Sequence, residues 1–136
     1  MANSEITPLD IMALAKQYFE KNGRCYGCYS HSLLPVDDME QERLDIMHEF
    51  FTVARKVISD DQNRLQSING LHVRPLLCNE PQRILDLGCG TGIWCIDMAD
   101  QYPGASIIGW DLSLRMQPEK IAPRMQFLPR DITDPT

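Results

Sequence analysis

No apolar run in this chain approaches the roughly twenty residues needed to cross a bilayer. The first residues also lack the basic, then apolar, pattern of a secretion signal, and carry Glu5 and Asp10 instead. An intracellular location, in cytoplasm or nucleus, is the expectation. Positive charge is scarce as well: 13 Lys and Arg stand against 19 Asp and Glu, for a net charge of −6. With a sequence pI of about 4.9 the summed field repels a phosphate backbone, so direct nucleic-acid binding is not expected. Five cysteines without a secretion signal make a disulfide framework a poor reading, and they are taken as free thiols. Internal repeats and low-complexity segments are missing too.

What is present fits an ordinary folded protein. The 136 residues suffice for one domain with a modest core, and 43% hydrophobic with 24% charged residues is the balance of a globular chain.

The most informative stretch is Arg83 to Gly92, Arg-Ile-Leu-Asp-Leu-Gly-Cys-Gly-Thr-Gly. Ile84, Leu85 and Leu87 form a short β-favouring run, a glycine cluster ends it, and a helical pattern begins at Ile93. This is a strand-turn-helix unit. Its glycines let the backbone turn sharply and bring a ligand against bare N–H groups at a helix start. The third glycine of a dinucleotide fingerprint is absent, because Ile93 stands three residues after Gly90. Gly88, Gly90 and Gly92 recur instead at every second residue behind the acidic Asp86, in the pattern Asp-x-Gly-x-Gly-x-Gly. That pattern resembles the cofactor loop of class I methyltransferases that use S-adenosylmethionine, whose cationic amino group an acid can hold.

Upstream, Thr7 caps an expected first helix with Pro8 in its first turn and Asp10 in the capping box. Ile11, Leu14, Ala15, Tyr18 and Phe19 mark its face, and Gly23 stops it. Arg24 to Val36 reads as a loop. Within it Cys25 and Cys28 form a Cys-x-x-Cys pair near His31. No fourth zinc ligand at usable spacing and no strand-helix junction accompanies them, so two incidental thiols are the simpler reading. A long second helix follows, capped by Asp37 or Asp38, acidic at Glu40 and Glu42, with Leu44, Met47, Phe51, Ala54 and Ile58 along one face. His48 lies beside that stripe as a core-edge histidine. Ser59 to Pro81 is more polar and reads as a linker, with a short helix around Leu65. Residues 1–80 are thus expected to be a helical lid and linker, and 81–136 the start of an α/β unit.

After the glycine loop, Ile93, Trp94, Ile96, Met98 and Ala99 form a helix ending before Pro103-Gly104, and Ser106 to Trp110 form the next strand. A parallel pair with a right-handed crossover follows. Asp111 lies close to the roughly 20-residue offset at which an acid meets a ribose hydroxyl. Read alone, it only caps the turn Leu112-Ser113-Leu114. Leu114 to Pro123 is irregular and Met125 to Leu128 reads as a third strand. Asp131 follows it, where related folds place an acid or amide near the adenine amino group.

Together these segments resemble the fungal methyltransferases related to LaeA, a class tied to the control or tailoring of secondary metabolites. The resemblance rests on Asn22 to Gly27, Gln41 to His48, Phe51 to Arg55, Ile84 to Trp94, Ile96 to Ala105 and Gly109 to Ser113. It implies an α/β, Rossmann-like fold and S-adenosylmethionine held by Asp86, Gly88, Gly90, Gly92 and Asp111. Family members continue into a seven-stranded sheet, whereas this chain stops at Thr136, so an incomplete sheet of three parallel strands with an open edge is expected. A partner chain or a second copy could cover that edge.

The leading functional expectation is a methyltransferase whose acceptor is a small metabolite or a protein. No nucleophilic side chain is required, so no catalytic residue is named; Tyr26, Tyr29 or His31 could close over the cofactor. The alternative is a binding or regulatory protein without catalysis. A nicotinamide-dependent oxidoreductase is disfavoured by Ile93.

Overall fold

The structure is a computed structural model that describes residues 13, 17–29, 33–60, 71–72, 82–118 and 121–132. Thr7, Pro8, Asp10, Ile11, Leu14, Ala15, His31, Leu65 and most of the expected linker lie outside the described residues.

The first difference from the sequence reading is at Tyr18. Ala13 is helical, but Tyr18–Lys21 forms strand β1, paired antiparallel with β2 (Arg24–Gly27), so the helix expected to reach Gly23 and the loop expected from Arg24 are both corrected. The cause is the Asn22-Gly23 dipeptide, with φ of 54° and 72°, the left-handed pair that closes a two-residue hairpin. Tyr18, Phe19, Cys25 and Tyr26 suit a pleated surface, and the Phe19 and Tyr26 rings stack with centroids 5.5 Å apart.

Asp37 joins this hairpin to the helix that follows. Its carboxylate accepts from Arg24 Nε and Nη2 at 2.7 and 2.8 Å, from the Cys25 N–H at 3.1 Å and from the Glu40 N–H at 3.1 Å. The last bond makes Asp37 the N-cap of α1 (Asp38–Asp60). The Arg24 guanidinium holds the Asp37 carboxyl well below the usual carboxylate range.

Helix α1 packs by a more polar face than its apolar stripe suggested. Leu44, Asp45, His48 and Thr52 are half-buried, at helical spacing, while Met47 and Phe51 are exposed together with Ile46, Phe50 and Val53. Among the described residues no helix is long and apolar enough to cross a membrane.

The α/β unit runs β3 (Arg83–Leu87), α2 (Ile93–Gln101), β4 (Ser106–Asp111) and β5 (Met125–Pro129). The three strands are parallel in the order β3-β4-β5, with Asp86 opposite Gly109 and Gly109 opposite Phe127. This is the expected incomplete Rossmann-like sheet. Because side chains alternate along a strand, one face of the sheet carries Ile84, Ile107 and Met125 against Cys95 and Met98 of α2, and this is the core. Leu71, from the stretch read as linker, is buried in the same cluster, and its carbonyl accepts from Trp94 Nε1 at 3.1 Å. The opposite face is open: Leu85 is 48% and Leu87 55% exposed. Among the described residues β3 pairs only with β4, and its other edge has no strand partner among them.

Candidate functional site

Backbone geometry builds the loop between β3 and α2. Gly88, Gly90 and Gly92 all have positive φ, at 76°, 54° and 75°. The N–H groups of Gly88 and Cys89 both donate to the Trp110 carbonyl, at 2.7 and 3.0 Å, which ties the loop to the end of β4. The three glycines differ in what a side chain would meet. A Cβ on Gly88 would find no atom within 4 Å and one on Gly90 only Leu44 Cδ1 at 3.6 Å, whereas on Gly92 it would lie 2.5 Å from the Phe127 ring. Gly88 and Gly90 therefore border open space, and Gly92 is a packing glycine.

That open space is two cavities. The larger, about 590 Å³, is lined by Gly88, Gly90, Leu44, Trp110, Asp111 and Ser113 among others; Tyr29 and Glu40 also reach it. The smaller, about 320 Å³, is lined by Asp86, Gly88, Gly90, Thr91, Trp94 and His48 together with Leu44, Cys89 and Ile93. Gly88 and Gly90 line both, with Asp86 on one side of the loop and Asp111 on the other. Both volumes fall in the range of small-molecule sites.

Asp111 holds the loop and its own turn at once. Oδ2 accepts from the Gly90 N–H at 2.8 Å and Oδ1 from the Ser113 N–H at 2.9 Å. The local turn role and a facing toward the cavity thus coexist. Asp86 sits on the core face of β3, and burial raises its pKa; a bond from Cys95 Sγ at 3.4 Å opposes that rise and the Asp111 charge adds to it. Burial pushes the Cys89 thiol up to about 12 and raises Cys95 as well, so neither is a thiolate nucleophile at neutral pH. Asp131 is half-buried just past β5; its neighbours Arg130 and Ile132 line the larger cavity.

Helix α1 covers the loop through polar ties. Thr91 Oγ1 donates to Asp45 Oδ1 at 2.7 Å, His48 Nε2 bonds Asp97 Oδ2 at 2.8 Å, and Gln41 Nε2 donates to the Arg115 carbonyl at 3.3 Å. Sequence reading places His48 at the core edge and misses these partners, because each lies at least 46 residues away along the chain. It also misses Glu40 and Ser113 as cavity residues. Ser113 follows Asp111 by two, which is the available signal; Glu40 has only its place in a first helical turn.

Residues 57–136 match the methyltransferase domain family. The chain is 44% identical over 133 residues to the secondary metabolism regulator LAE1 of Cochliobolus heterostrophus, covering 93% of this chain and 38% of that protein. It is 44% identical over 121 residues to the secondary metabolism regulator laeA of Aspergillus flavus, covering 87% of this chain and 29% of the relative. It is also 44% identical over 99 residues to the protein-methionine methyltransferase laeA of Emericella nidulans, covering 71% of this chain and 23% of that one. The chain thus spans well under half the length of these curated relatives. With more than half of its residues in the match and a parallel sheet bearing the glycine loop, the chain belongs to the methyltransferase domain family and is similar to the fungal laeA regulators.

Proposed function

We propose that the chain binds S-adenosylmethionine across the Gly88–Gly90 loop and serves methyl transfer in fungal secondary metabolism or its control. The observation that carries this reading is the pair of cavities meeting at that loop, with Asp86 lining one and Asp111 the other. The half-buried Asp86 has a cationic amino group as its natural counter-ion, and Asp111 retains an acceptor position on each oxygen for a hydroxyl. Gly88 and Gly90 admit the ligand because no Cβ fills the loop. Asp131, next to two residues of the larger cavity, is assigned to the adenine end.

When bound, S-adenosylmethionine supplies a methyl group activated by a sulfonium. The chain's residues bind and orient it, with the apolar Leu44 of α1, Trp110 and Met116 lining the larger cavity. The acceptor is a small molecule or a protein group. Transfer to a thioether, the acceptor implied by the name of the Emericella nidulans relative, asks only for positioning, since a thioether has no proton to remove.

A second reading, a regulatory protein without catalysis, draws on the edge of β3 that is unpaired among the described residues and on the exposed Leu85 and Leu87, which suit a covering partner. Calorimetric titration of the 136-residue chain with S-adenosylmethionine tests the first reading. Micromolar binding that Asp86→Ala abolishes supports it, and a folded chain that binds none overturns it.

A further inference from the structure

The larger cavity contains polar groups that the glycine loop does not use. Glu40, in the first turn of α1, lines it and is only 4% exposed, although it is a carboxylate. Arg43 grips it from the solvent side, with Nε on Oε2 at 3.0 Å and Nη2 on Oε1 at 2.6 Å. A carboxylate has about four lone-pair positions, so this fork leaves one on each oxygen. Ser113 lines the same cavity, is 1% exposed, and its hydroxyl has no hydrogen-bond partner among the described residues. A buried hydroxyl left unmatched costs free energy unless a ligand completes it.

These groups come from two elements that the fold brings together. Gln41, next to Glu40, donates to the Arg115 carbonyl, two residues past Ser113, and Ser113 N–H donates to Asp111. The first turn of α1 and the segment after β4 are therefore tied together and line the same, largely apolar cavity. Asp111 and Glu40 can each accept from a hydroxyl there, and Ser113 can donate or accept.

We infer that Glu40 and Ser113 are ligand-binding residues that, with Asp111, form a diol site for the sugar of the bound nucleoside. Helix α1 thereby supplies part of the cofactor site, beyond covering it. Arg43 is a positioning residue that fixes the Glu40 carboxylate in one rotamer and balances its charge. This inference rests on the proposed binding of S-adenosylmethionine.

The experiment titrates the wild-type chain, Glu40→Gln and Ser113→Ala with S-adenosylhomocysteine and with its 2′,3′-dideoxy counterpart, after circular dichroism has confirmed folding. The wild type should prefer the diol-bearing ligand, and each variant should weaken that ligand about tenfold or more while binding the dideoxy ligand as the wild type does. A structural role for Glu40 would weaken both ligands equally, and that result overturns the inference. Unchanged affinity of both variants for the diol overturns it too. Should Glu40→Gln fail to fold, Ser113→Ala, which removes one atom, decides the matter by the same comparison. Wild-type chain that binds neither ligand defeats the underlying cofactor reading, an outcome read separately from either variant.

Discussion

Asp111 Oδ2 accepts a hydrogen bond from the Gly90 backbone N–H at 2.8 Å, so the acid at the end of β4 fixes the loop at the end of β3. Site and scaffold share one carboxylate. In Asp111→Asn the single amide oxygen can accept from Gly90 or from Ser113 but not from both, so the charge and one of the two backbone bonds are lost. Calorimetry should show affinity for S-adenosylmethionine lowered about tenfold or more, and urea denaturation a loss of about 1 kcal/mol from the unmatched N–H. Asp111→Ala should lose both bonds and lower the urea midpoint further.

Gly88 and Gly92 have nearly the same φ, yet their alanine variants should behave differently. Gly92→Ala adds the cost of a left-handed alanine to a clash with the Phe127 ring, together about 2–5 kcal/mol. Gly88→Ala has open space around its Cβ and should cost only about 1–2 kcal/mol, while placing a methyl in the ligand's path. Urea denaturation and ligand titration, run on both, should therefore rank them in opposite orders.

Burial raises Asp86 above its ordinary 3.8. A carboxyl whose folded pKa is raised contributes stability that is fully present below the unfolded value and is lost as pH rises through the folded one. Asp86→Asn, which is neutral throughout, should accordingly stabilise the ligand-free chain at neutral pH. The same change should remove affinity for the cationic ligand, a trade between stability and binding. In the wild type, affinity should fall as pH drops through the raised Asp86 pKa. Thermal melts and titrations across the acidic range check both directions.

His48 and Asp97 join α1 to α2. His48→Ala should lower stability by about 1 kcal/mol, and a double-mutant cycle with Asp97→Ala should return a coupling of about 0.5–1 kcal/mol.

Leu85 and Leu87 face away from the core on an edge strand. Replacing both with threonine should change stability by no more than about 0.5 kcal/mol each and reduce self-association, measured by analytical ultracentrifugation.

Local chemistry by itself determines much of this protein. The β-favouring run of Ile84, Leu85 and Leu87, the glycines after it and the helical spacing from Ile93 specify a strand-turn-helix unit, because glycine positions and side-chain periodicity act over a few residues. The same holds for the strands at Ser106 and Met125 and for the cap at Asp37. Where two local signals overlap, the stronger is easily misread: Tyr18 and Phe19 fit a helical spacing, but Asn22-Gly23 favours a hairpin through its left-handed pair. Only the tertiary structure decided which face of α1 packs, since Asp45 and His48 are drawn inward by Thr91 and Asp97, partners far along the chain. It likewise decided that Leu71 joins the core, and that Glu40 and Ser113 meet Asp111 at one cavity. Those placements depend on hydrogen bonds and packing between distant segments, for which neither propensity nor spacing carries a signal.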